Sequence, residues 1–416
     1  MRARLRGLAA TGLAALAGVL PAAPGQASQG AAPESGGVLS LSQAIDLALA
    51  ANRSLAAARL GLPIARANVD VAGERLNPDL TVEKLRETPH ESITLAQPVE
   101  TAGKRRRRID LAQAETSSTE AEIARATIDI RNRVRRAYYA LAAAQDRASE
   151  TGEILRLTAR ARDAARERFD AGAVPRLEVL QTELTAAQAD NEAEAARGLL
   201  AGASADLNTL IDRPPQSPLA VAGGLAIGSV PDAAAAARLA VAASTELALQ
   251  DRRIAAQAAR VELARAEQFP NLTVQGAVTF HAPPDFQVGY RAALSVSLPI
   301  FTHHEAGVRA AEATLAQLRA ERDAAAAQIA GSVSAAAAQA AAQRRQLLRF
   351  RDEILPQAAA VQQMAEDSYR SGQSNLVALL QVLQSTRELR LRAIQAGLDF
   401  QVALAELERA MGAPLP

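Results

Sequence analysis

The chain has 416 residues and a formal net charge of +1, so its charge balance creates no general attraction to nucleic acid or anionic surfaces. Cysteine is absent, which excludes disulfides, thiolate metal sites, cysteine nucleophiles and an N-terminal lipid-modified cysteine. Tryptophan is also absent and aromatic residues make up only 3% of the chain, so an aromatic stacking platform is not expected.

The N-terminus predicts export. Arg2, Arg4 and Arg6 precede an apolar run from Leu8 to Leu20 that is too short to cross a bilayer as a helix. This pattern predicts a secretory signal peptide over residues 1–27, and the alternative is a short buried helix. Residues 28–38 are expected to form a disordered leader. No later segment has about 18 uncharged apolar residues in a row, so helices are not expected to span a membrane after export.

The next segment changes its hydrophobic period from that of a helix to that of strands. A capping box, S-L-S-Q at 40–43, predicts the start of a helix that continues to about Leu76 with an interruption near Pro63. Alternating apolar residues then predict two short strands over about 79–98. Strands of this period in an exported protein suit a transmembrane barrel, and a periplasmic hairpin packed on helices is the alternative.

A single long helix is predicted over about 104–171. This stretch holds no proline and one glycine, and strong helix formers dominate it. Its apolar residues are spaced by sevens, fours and threes, which is typical of a coiled-coil seam: Ile123, Ile130, Val134, Ala137 and Leu141. At 1.5 Å per residue the helix would be about 100 Å long.

The chain contains this unit twice. Residues 167–184 (ERFDAGAVPRLEVLQTEL) match residues 367–384 (DSYRSGQSNLVALLQVLQ) at an offset of 200, so Gly172 matches Gly372. Upstream, 48–55 match 240–247 at an offset of 192. We therefore predict a first repeat over 39–214, a linker over 215–231 and a second repeat over 232–416. The second repeat has strands over about 271–299 and a long helix over about 304–370.

The repeated unit resembles a known family. The helix–hairpin–helix unit, the turn segments FDAGAVPRLEVLQ and YRSGQSNLVALLQ, and the strand exits QPVETAGKR and LPIF resemble the outer membrane factor (TolC-like) efflux family. The resemblance covers nearly all of residues 39–414. The ETAGKR segment is most similar to the branch that works with heavy-metal exporters.

This resemblance implies a mainly α fold with a small β part. Three chains would form a homotrimeric 12-stranded barrel in the outer membrane, continued as an α-helical tunnel in the periplasm. The protein would be the passive exit duct of a tripartite efflux system, with a periplasmic adaptor protein and an inner-membrane pump as partners and with small solutes, including heavy-metal cations, as cargo. It would be no enzyme and would need no cofactor, and the sequence has no P-loop.

The family also implies roles for two turns at the far end of the tunnel. The turns after the long helices would dock the adaptor through Gly172, Val174 and Pro175 in the first repeat and Gly372, Ser374 and Asn375 in the second. The residues alone predict glycines that end helices in a left-handed conformation, and a proline in the first turn of the returning helix.

The tunnel entrance is the second place where the family implies a role. Family tunnels often close with an acidic ring just past the second turn, but this chain has Ala378 and Gln381 there. Glu178 is the matching acid of the first repeat. Glu178 and Gln381 are candidates to line the entrance, and a solvated helix face is the alternative for Glu178.

A basic run and four histidines complete the candidate sites. The run directly follows the predicted second strand and could form a collar that attracts lipid head groups or anions, or a solvated helix start: Lys104, Arg105, Arg106, Arg107 and Arg108. No metal site is expected at His90, His281, His303 or His304, because ligands at suitable spacing are lacking. Nucleic-acid binding is not expected after export.

Two other functions remain open from the residues alone. A periplasmic adaptor would need a membrane anchor and β domains around one helical hairpin, whereas this hairpin is duplicated. A structural coiled-coil protein without a barrel would have no reason to carry two alternating β-hairpins at equivalent positions.

Overall fold

The computed structural model describes residues 38–371 and 373–412. The predicted signal peptide, all of the predicted leader except Val38, and Gly372 lie outside these residues. In the part that is described, the chain is mostly helical with one small antiparallel sheet. No described helix combines the length and the apolar character needed to cross a membrane.

The two repeats are built in the same order. The first contains α1 (Leu41–Ala51), α2 (Arg53–Arg59), α3 (Gly61–Gly73), β1 (Asp79–Lys84), β2 (Glu91–Val99), α4 (Lys104–Asp170) and α5 (Arg176–Leu210). The second contains α6 (Ala233–Ala243), α7 (Thr245–Glu267), β3 (Leu272–Ala282), β4 (Phe286–Val296), α8 (Glu305–Arg349), a π-helical turn (Phe350–Ile354), α9 (Leu355–Arg370) and α10 (Leu376–Met411). In the second repeat α7 takes the place of α2 and α3, and α8, the π-helical turn and α9 take the place of α4.

The first helical segment is interrupted at two positions, one of which was predicted. The interruption expected near Pro63 is confirmed, because α2 ends at Arg59 and α3 begins at Gly61, which places Pro63 in the first turn of α3, where its missing N–H costs no intrahelical bond. A second interruption, before α2, was not predicted. The chain breaks at Asn52, whose side chain caps α2 by accepting a bond from the Leu55 N–H. The second repeat breaks at the equivalent Ser244, which caps α7 in the same way.

The second long helix contains a π-helical turn that α4 lacks. Pro356 follows the turn and has no N–H to donate, and the Leu355 N–H bonds five residues back to the Phe350 oxygen. A π turn adds one residue to a helix. Accordingly, the buried residues Val134 and Leu141 of α4 match the buried Val333 and Ala340 of α8 at an offset of 199. The offset of 200 holds only after the π turn.

The four strands form one antiparallel sheet in the order β1-β2-β3-β4. The pairing of β2 with β3 joins the two repeats, while β1 and β4 are the edges. The register places most of the large apolar residues of the strands on one side, here called the apolar face: Leu80, Val82, Ile93, Leu95, Val99, Leu272, Val274, Val278, Phe280, Val288, Tyr290, Leu294 and Val296. Three polar residues share this face: Lys84, Glu91 and Gln97. Mainly polar and small residues occupy the other side, including Thr81, Glu83, Ser92, Thr94, Thr273, Gln275, Thr279, Arg291 and Ser295.

The largest apolar cluster of the described residues lies where α1, α2, α4 and α5 meet. Leu55, Val134, Leu141 and Leu207 are among its buried members. Tyr138 is 3% exposed, and its hydroxyl donates to the backbone oxygens of Leu39 and Ala222. This contact fastens the segment before α1 and the segment after α5 onto the long helix.

The predicted linker packs on the helices. Leu39 forms a parallel bridge with Val221, and Gln401 of α10 donates to the Ala226 oxygen at 2.5 Å. A Cβ atom at Gly397 would lie 2.7 Å from a methyl carbon of Leu225, so glycine is what permits this close approach.

Candidate functional site

Two tip turns, residues 171–175 and 371–375, connect the long helices to the returning helices. In the first tip turn Gly172 has a φ of 72°, in the left-handed region. The Ala173 N–H donates to the Arg168 oxygen at 2.8 Å, and the Gly172 N–H donates to the Phe169 oxygen at 2.8 Å. These two bonds form a Schellman motif, which satisfies the last carbonyl groups of α4.

The second tip turn repeats the long bond of this motif. The Gln373 N–H donates to the Ser368 oxygen at 2.8 Å, and this bond lies 200 residues after the equivalent bond from Ala173. Gly372 itself lies outside the described residues. The two turns therefore share the hydrogen bond that ends the preceding helix.

The returning helices begin differently in the two repeats. Pro175 was expected inside the first turn of α5 but is the residue before it, with an extended φ of −75° and ψ of 154° and no side-chain cap. Asn375 precedes α10 and caps it, because its side-chain oxygen accepts a bond from the Ala378 N–H at 2.9 Å. Glu178 lies in the first turn of α5, where a carboxylate is favoured by the helix dipole.

Arg168 connects the two tip turns. Its guanidinium lies 3.4 Å from the Glu178 carboxylate and 2.7 Å from the Tyr369 hydroxyl, which belongs to the second repeat. Close by, Arg166 of α4 pairs with Glu183 of α5 at 2.5 Å, and this carboxylate raises the pKa of Arg166. Ion pairs thus hold together the helices of the first hairpin, and a hydrogen bond from Arg168 to Tyr369 joins this hairpin to the second.

The candidate entrance residues differ in exposure and lie on different repeats. Glu178 is 18% exposed at its side chain and is engaged with Arg168. Gln381 is exposed on α10, one turn after the exposed Ala378. The structure thus leaves Gln381 accessible and Glu178 partly covered.

The basic run makes contacts within the chain. Lys104 donates to the Phe269 oxygen and to the Asn271 side chain, at 2.6 and 2.7 Å. Arg105 donates to the Gly73 oxygen at 2.5 Å, and Arg108 donates to the Glu74 oxygen at 3.1 Å and pairs with Glu100.

The remaining two arginines of the run are more open. Arg106 pairs with Asp110 at 3.0 Å and its side chain is 80% exposed, while Arg107 lies 3.8 Å from Glu262 and is 45% exposed. Cations favour the C-terminal carbonyls of a helix, so Arg105 and Arg108 stabilise the end of α3. The run therefore joins α3 and the α7–β3 connection to the start of α4, and its role as an anion-attracting collar stays a prediction.

The histidines do not converge. His90 and His281 are neighbours at the hairpin turns through a backbone bond of 3.3 Å, and His304 precedes α8 with a φ of 55°. Among the described residues, no group of three or more histidine, aspartate or glutamate side chains could hold a metal ion.

A buried charge cluster between α4 and α10 was not predicted from the sequence. Glu408 is 6% exposed, pairs with Arg135 and lies 3.3 Å from Arg131. Next to it, Arg136 pairs with Glu406 at 2.8 Å, and the Asn132 side chain donates to the Ala405 oxygen at 2.6 Å. The available signal was the pair of acids Glu406 and Glu408 in the largely apolar stretch VALAELERAM of α10.

Comparison with known proteins gives a family and a fold. The model of the outer membrane efflux protein family matches residues 44–212 and 236–413. A comparison with curated proteins gives no match. Among solved structures, the outer membrane protein VceC of Vibrio cholerae is 18% identical, with a TM-score of 0.73 over 90% of this chain and 96% of that chain.

Two further solved channels are similar in the same way. The outer membrane channel CmeC of Campylobacter jejuni is 16% identical, with a TM-score of 0.73 over 89% of this chain and 85% of that chain. The open state of the outer membrane channel MtrE of Neisseria gonorrhoeae is 19% identical, with a TM-score of 0.74 over 90% and 89% of the two chains. At these identities the likeness is one of fold.

Proposed function

Because the chain belongs to the outer membrane efflux protein family, we propose that it forms the passive outer-membrane exit duct of a tripartite efflux system. The observation that carries this proposal is the sheet. Its apolar face is exposed, with Val82 and Tyr290 at 70% and 85%, and its other face is mainly polar. An apolar side toward lipid and a polar side toward water are what a transmembrane barrel wall requires.

The open edges of the sheet support assembly. Four strands cannot close into a barrel, and unpaired strand edges are not tolerated in lipid. Three protomers would supply twelve strands, with β4 of one protomer beside β1 of the next. In this proposal the helices continue the barrel as a tunnel in the periplasm.

The tip turns are the proposed docking site for the periplasmic adaptor. Gly172, Val174 and Pro175 in the first turn and Gly372, Ser374 and Asn375 in the second would face it. Support comes from the shared hydrogen bond of the two turns and from the Arg168–Tyr369 contact, which holds them beside each other. Glu178 and Gln381 would line the entrance, and the open arginines Arg106 and Arg107 would attract anions at the sheet–helix junction.

The proposed role requires no catalytic group or cofactor, since the pump supplies the energy. From the resemblance of the ETAGKR segment we propose heavy-metal cations as the cargo. Deleting the gene and measuring tolerance to zinc, cobalt, copper and a panel of drugs tests this: sensitivity to metals alone is expected, and sensitivity to drugs alone would overturn the metal assignment.

One pair of variants tests the barrel. Leu294 lies on the apolar face and is 65% exposed, while its neighbour Ala293 lies on the polar face. An arginine toward lipid costs about 2–4 kcal/mol near the bilayer midplane, so Leu294→Arg should lower the amount of trimer in the outer-membrane fraction. Ala293→Arg is the matched control and should leave it unchanged.

The location of the unmodified chain is the decisive measurement. We expect a trimer in the outer-membrane fraction whose mature N-terminus lies near Ser28. A soluble periplasmic monomer would overturn the duct and would favour an adaptor or structural role.

A further inference from the structure

The two edge strands of the sheet carry opposite charges on the polar face. Arg291 is the only charged residue of β4, and the polar face of β1 carries Asp79 and Glu83. The turn after β1 adds Arg86 and Glu87, and all five side chains are exposed. Among the described residues, Arg291 and Asp79 take part in no ion pair. Open backbone edges with opposite charges are suited to a second copy of the same chain.

The backbone of β1 determines on which side the other strands lie. The Leu85 N–H donates to the His90 oxygen at 2.7 Å, so the odd-numbered residues of β1 point their N–H groups toward β2. The side chains of these residues lie on the polar face. For L-residues, β2 then lies to the left of β1 when β1 runs upward and the apolar face is viewed from the lipid. The strands therefore follow one another leftward, from β1 to β4 and on to β1 of the next protomer.

Closing a barrel displaces each protomer along its neighbour. Barrel strands tilt by about 35–45° as a right-handed screw, so four strands spaced by about 4.8 Å accumulate about 13–19 Å along the strand direction. At a tilt of about 40° and about 3.4 Å per residue, this is about 4.7 residues. The displacement must be even for the polar face to continue, and about four residues is the nearest even value. For leftward order it runs toward the higher numbers of β1.

This displacement decides which part of the next protomer Arg291 meets. Within one sheet, Arg291 pairs with Ala277, which pairs with Thr94, which pairs with Thr81. Without displacement, Arg291 would therefore lie opposite Thr81 of the next protomer. Adding about four residues places Arg291 opposite Leu85 instead.

Two carboxylates then lie beside Arg291. Opposite Leu85, the arginine is diagonal to Glu83 on one side and to Glu87 on the other. Diagonal neighbours lie about 7–8 Å apart, within reach of a long side chain. Asp79 would be about six residues, or about 20 Å, from the same point. The closure thus separates the acids of β1, and those at its outer end meet the arginine.

The surroundings of Glu83 leave it available for this contact. Its carboxylate accepts a bond from the Ser92 hydroxyl at 3.1 Å, which holds one oxygen in place. Lys84 lies on the apolar face and pairs with Glu91 at 3.0 Å. The lysine next to Glu83 is therefore engaged elsewhere, on the opposite side of the sheet.

We propose that Arg291 of each protomer pairs with Glu83 and Glu87 of the next on the water-filled side of the barrel. Three such charged sites join β4 to β1 and set the register in which the barrel closes. The inference rests on the proposed trimeric barrel and adds the residues and the register of its seam between protomers.

Disulfide formation tests the register, and the absence of native cysteine removes any background. With the proposed displacement, Ser295 lies directly opposite Thr81 of the next protomer. The N–H groups of odd residues in β1 point away from this seam, so the pair is not hydrogen-bonded, and its Cα atoms lie about 4.5 Å apart, within disulfide range. Ser295→Cys/Thr81→Cys should therefore link the trimer into covalent dimers and trimers on mild oxidation.

The control pair is Ser295→Cys/Asn77→Cys, which fits a barrel closed without displacement. It should link at least about tenfold less, because its Cα atoms would be about four residues out of register. Equal or stronger linking of the control, or no linking of either pair in an intact trimer, would overturn the register.

Charge reversal tests the pairing in the Ser295→Cys/Thr81→Cys background. Arg291→Glu should slow disulfide formation at least about fivefold, because it sets like charges against each other across the seam. Adding Glu83→Arg should restore most of the rate. Asp79→Arg is the matched control, since it makes the same change on the same face of β1, and it should restore nothing. Equal restoration by the two, or an unchanged rate in Arg291→Glu, would overturn the pairing.

The failures of the two proposals can be told apart. A trimer in the outer membrane that links the control pair, or whose linking is insensitive to Arg291→Glu, would overturn the charged seam and leave the duct intact. A monomer in the periplasm would overturn the duct itself.

Discussion

The buried carboxylate of Glu408 offers a sharp test of how the two repeats are held together. Its side chain is 9% exposed, and its partners Arg135 and Arg131 are 15% and 37% exposed. Glu408→Gln keeps the shape of the side chain but removes the charge that two guanidinium groups share. Removing one partner from a buried ion pair leaves uncompensated charge, so we expect the α4–α10 contact to lose about 2–4 kcal/mol.

Glu406→Gln is the matched control. Glu406 lies two residues earlier on α10, pairs with Arg136 on the same α4, and is 34% exposed against 51% for its partner. Exposed ion pairs contribute at most about 1 kcal/mol because water and salt screen them. The two variants therefore make the same chemical change in the same contact and differ in burial.

Amide hydrogen exchange on the detergent-solubilised protein measures the loss locally. A loss of about 2–4 kcal/mol corresponds to about 30- to 900-fold faster exchange of the protected amides of α4 and α10 around these residues. Glu406→Gln should accelerate exchange by less than about fivefold. Equal effects of the two variants, or an unchanged rate in Glu408→Gln, would refute the argument from burial.

Three further variants test the ends and the fastening of the long helices. Gly172→Ala should destabilise the end of α4 by about 1 kcal/mol, because an L-residue is strained at a φ of 72°, and faster amide exchange in the last turn of α4 would show it. Asn375→Ala should weaken the start of α10 by about 1 kcal/mol, because it removes the side-chain cap. Pro175→Ala is the control, since Pro175 makes no such bond at the start of α5. An equal change in amide exchange at the two helix starts would contradict this. Tyr138→Phe should cost about 1–2 kcal/mol and speed proteolysis at the segments that the hydroxyl fastens. Burial, and then Tyr139, raise the pKa of Tyr138. The contribution of its hydroxyl to stability is therefore intact below the ordinary tyrosine pKa and is lost as pH rises through the raised pKa. The phenylalanine variant should not show this loss of stability at alkaline pH, and a variant that shows it would refute the assignment.

Local patterns in the sequence predicted the elements because those patterns follow from backbone geometry. The matching tip segments revealed the duplication, and alternation at Leu80, Val82, Ile93 and Leu95 predicted the first strand pair. Alternation also determines the two faces of the sheet, because successive side chains of a strand point to opposite sides. The long first helix was predicted closely, as it contains no helix breaker at its interior positions other than Gly152.

Patterns within one segment could not show which segments meet. For the basic run the sequence predicted an anion-attracting collar or a solvated helix start. It did not indicate that Lys104, Arg105 and Arg108 reach carbonyl groups that only the folded chain brings near them. The helix break near Pro63 was predicted because proline is the strongest local breaker, whereas the second break, at the capping side chain of Asn52, was not predicted.

The period of each element and the two faces of the sheet follow from neighbours a few residues apart, and the repeated unit follows from matching segments, so all three can be predicted without a structure. Only the folded chain shows that Glu408 lies against Arg131 and Arg135 and that Arg168 reaches Tyr369. These contacts join residues some 200 to 270 positions apart. They depend on the packing of whole helices, and no local spacing encodes that packing.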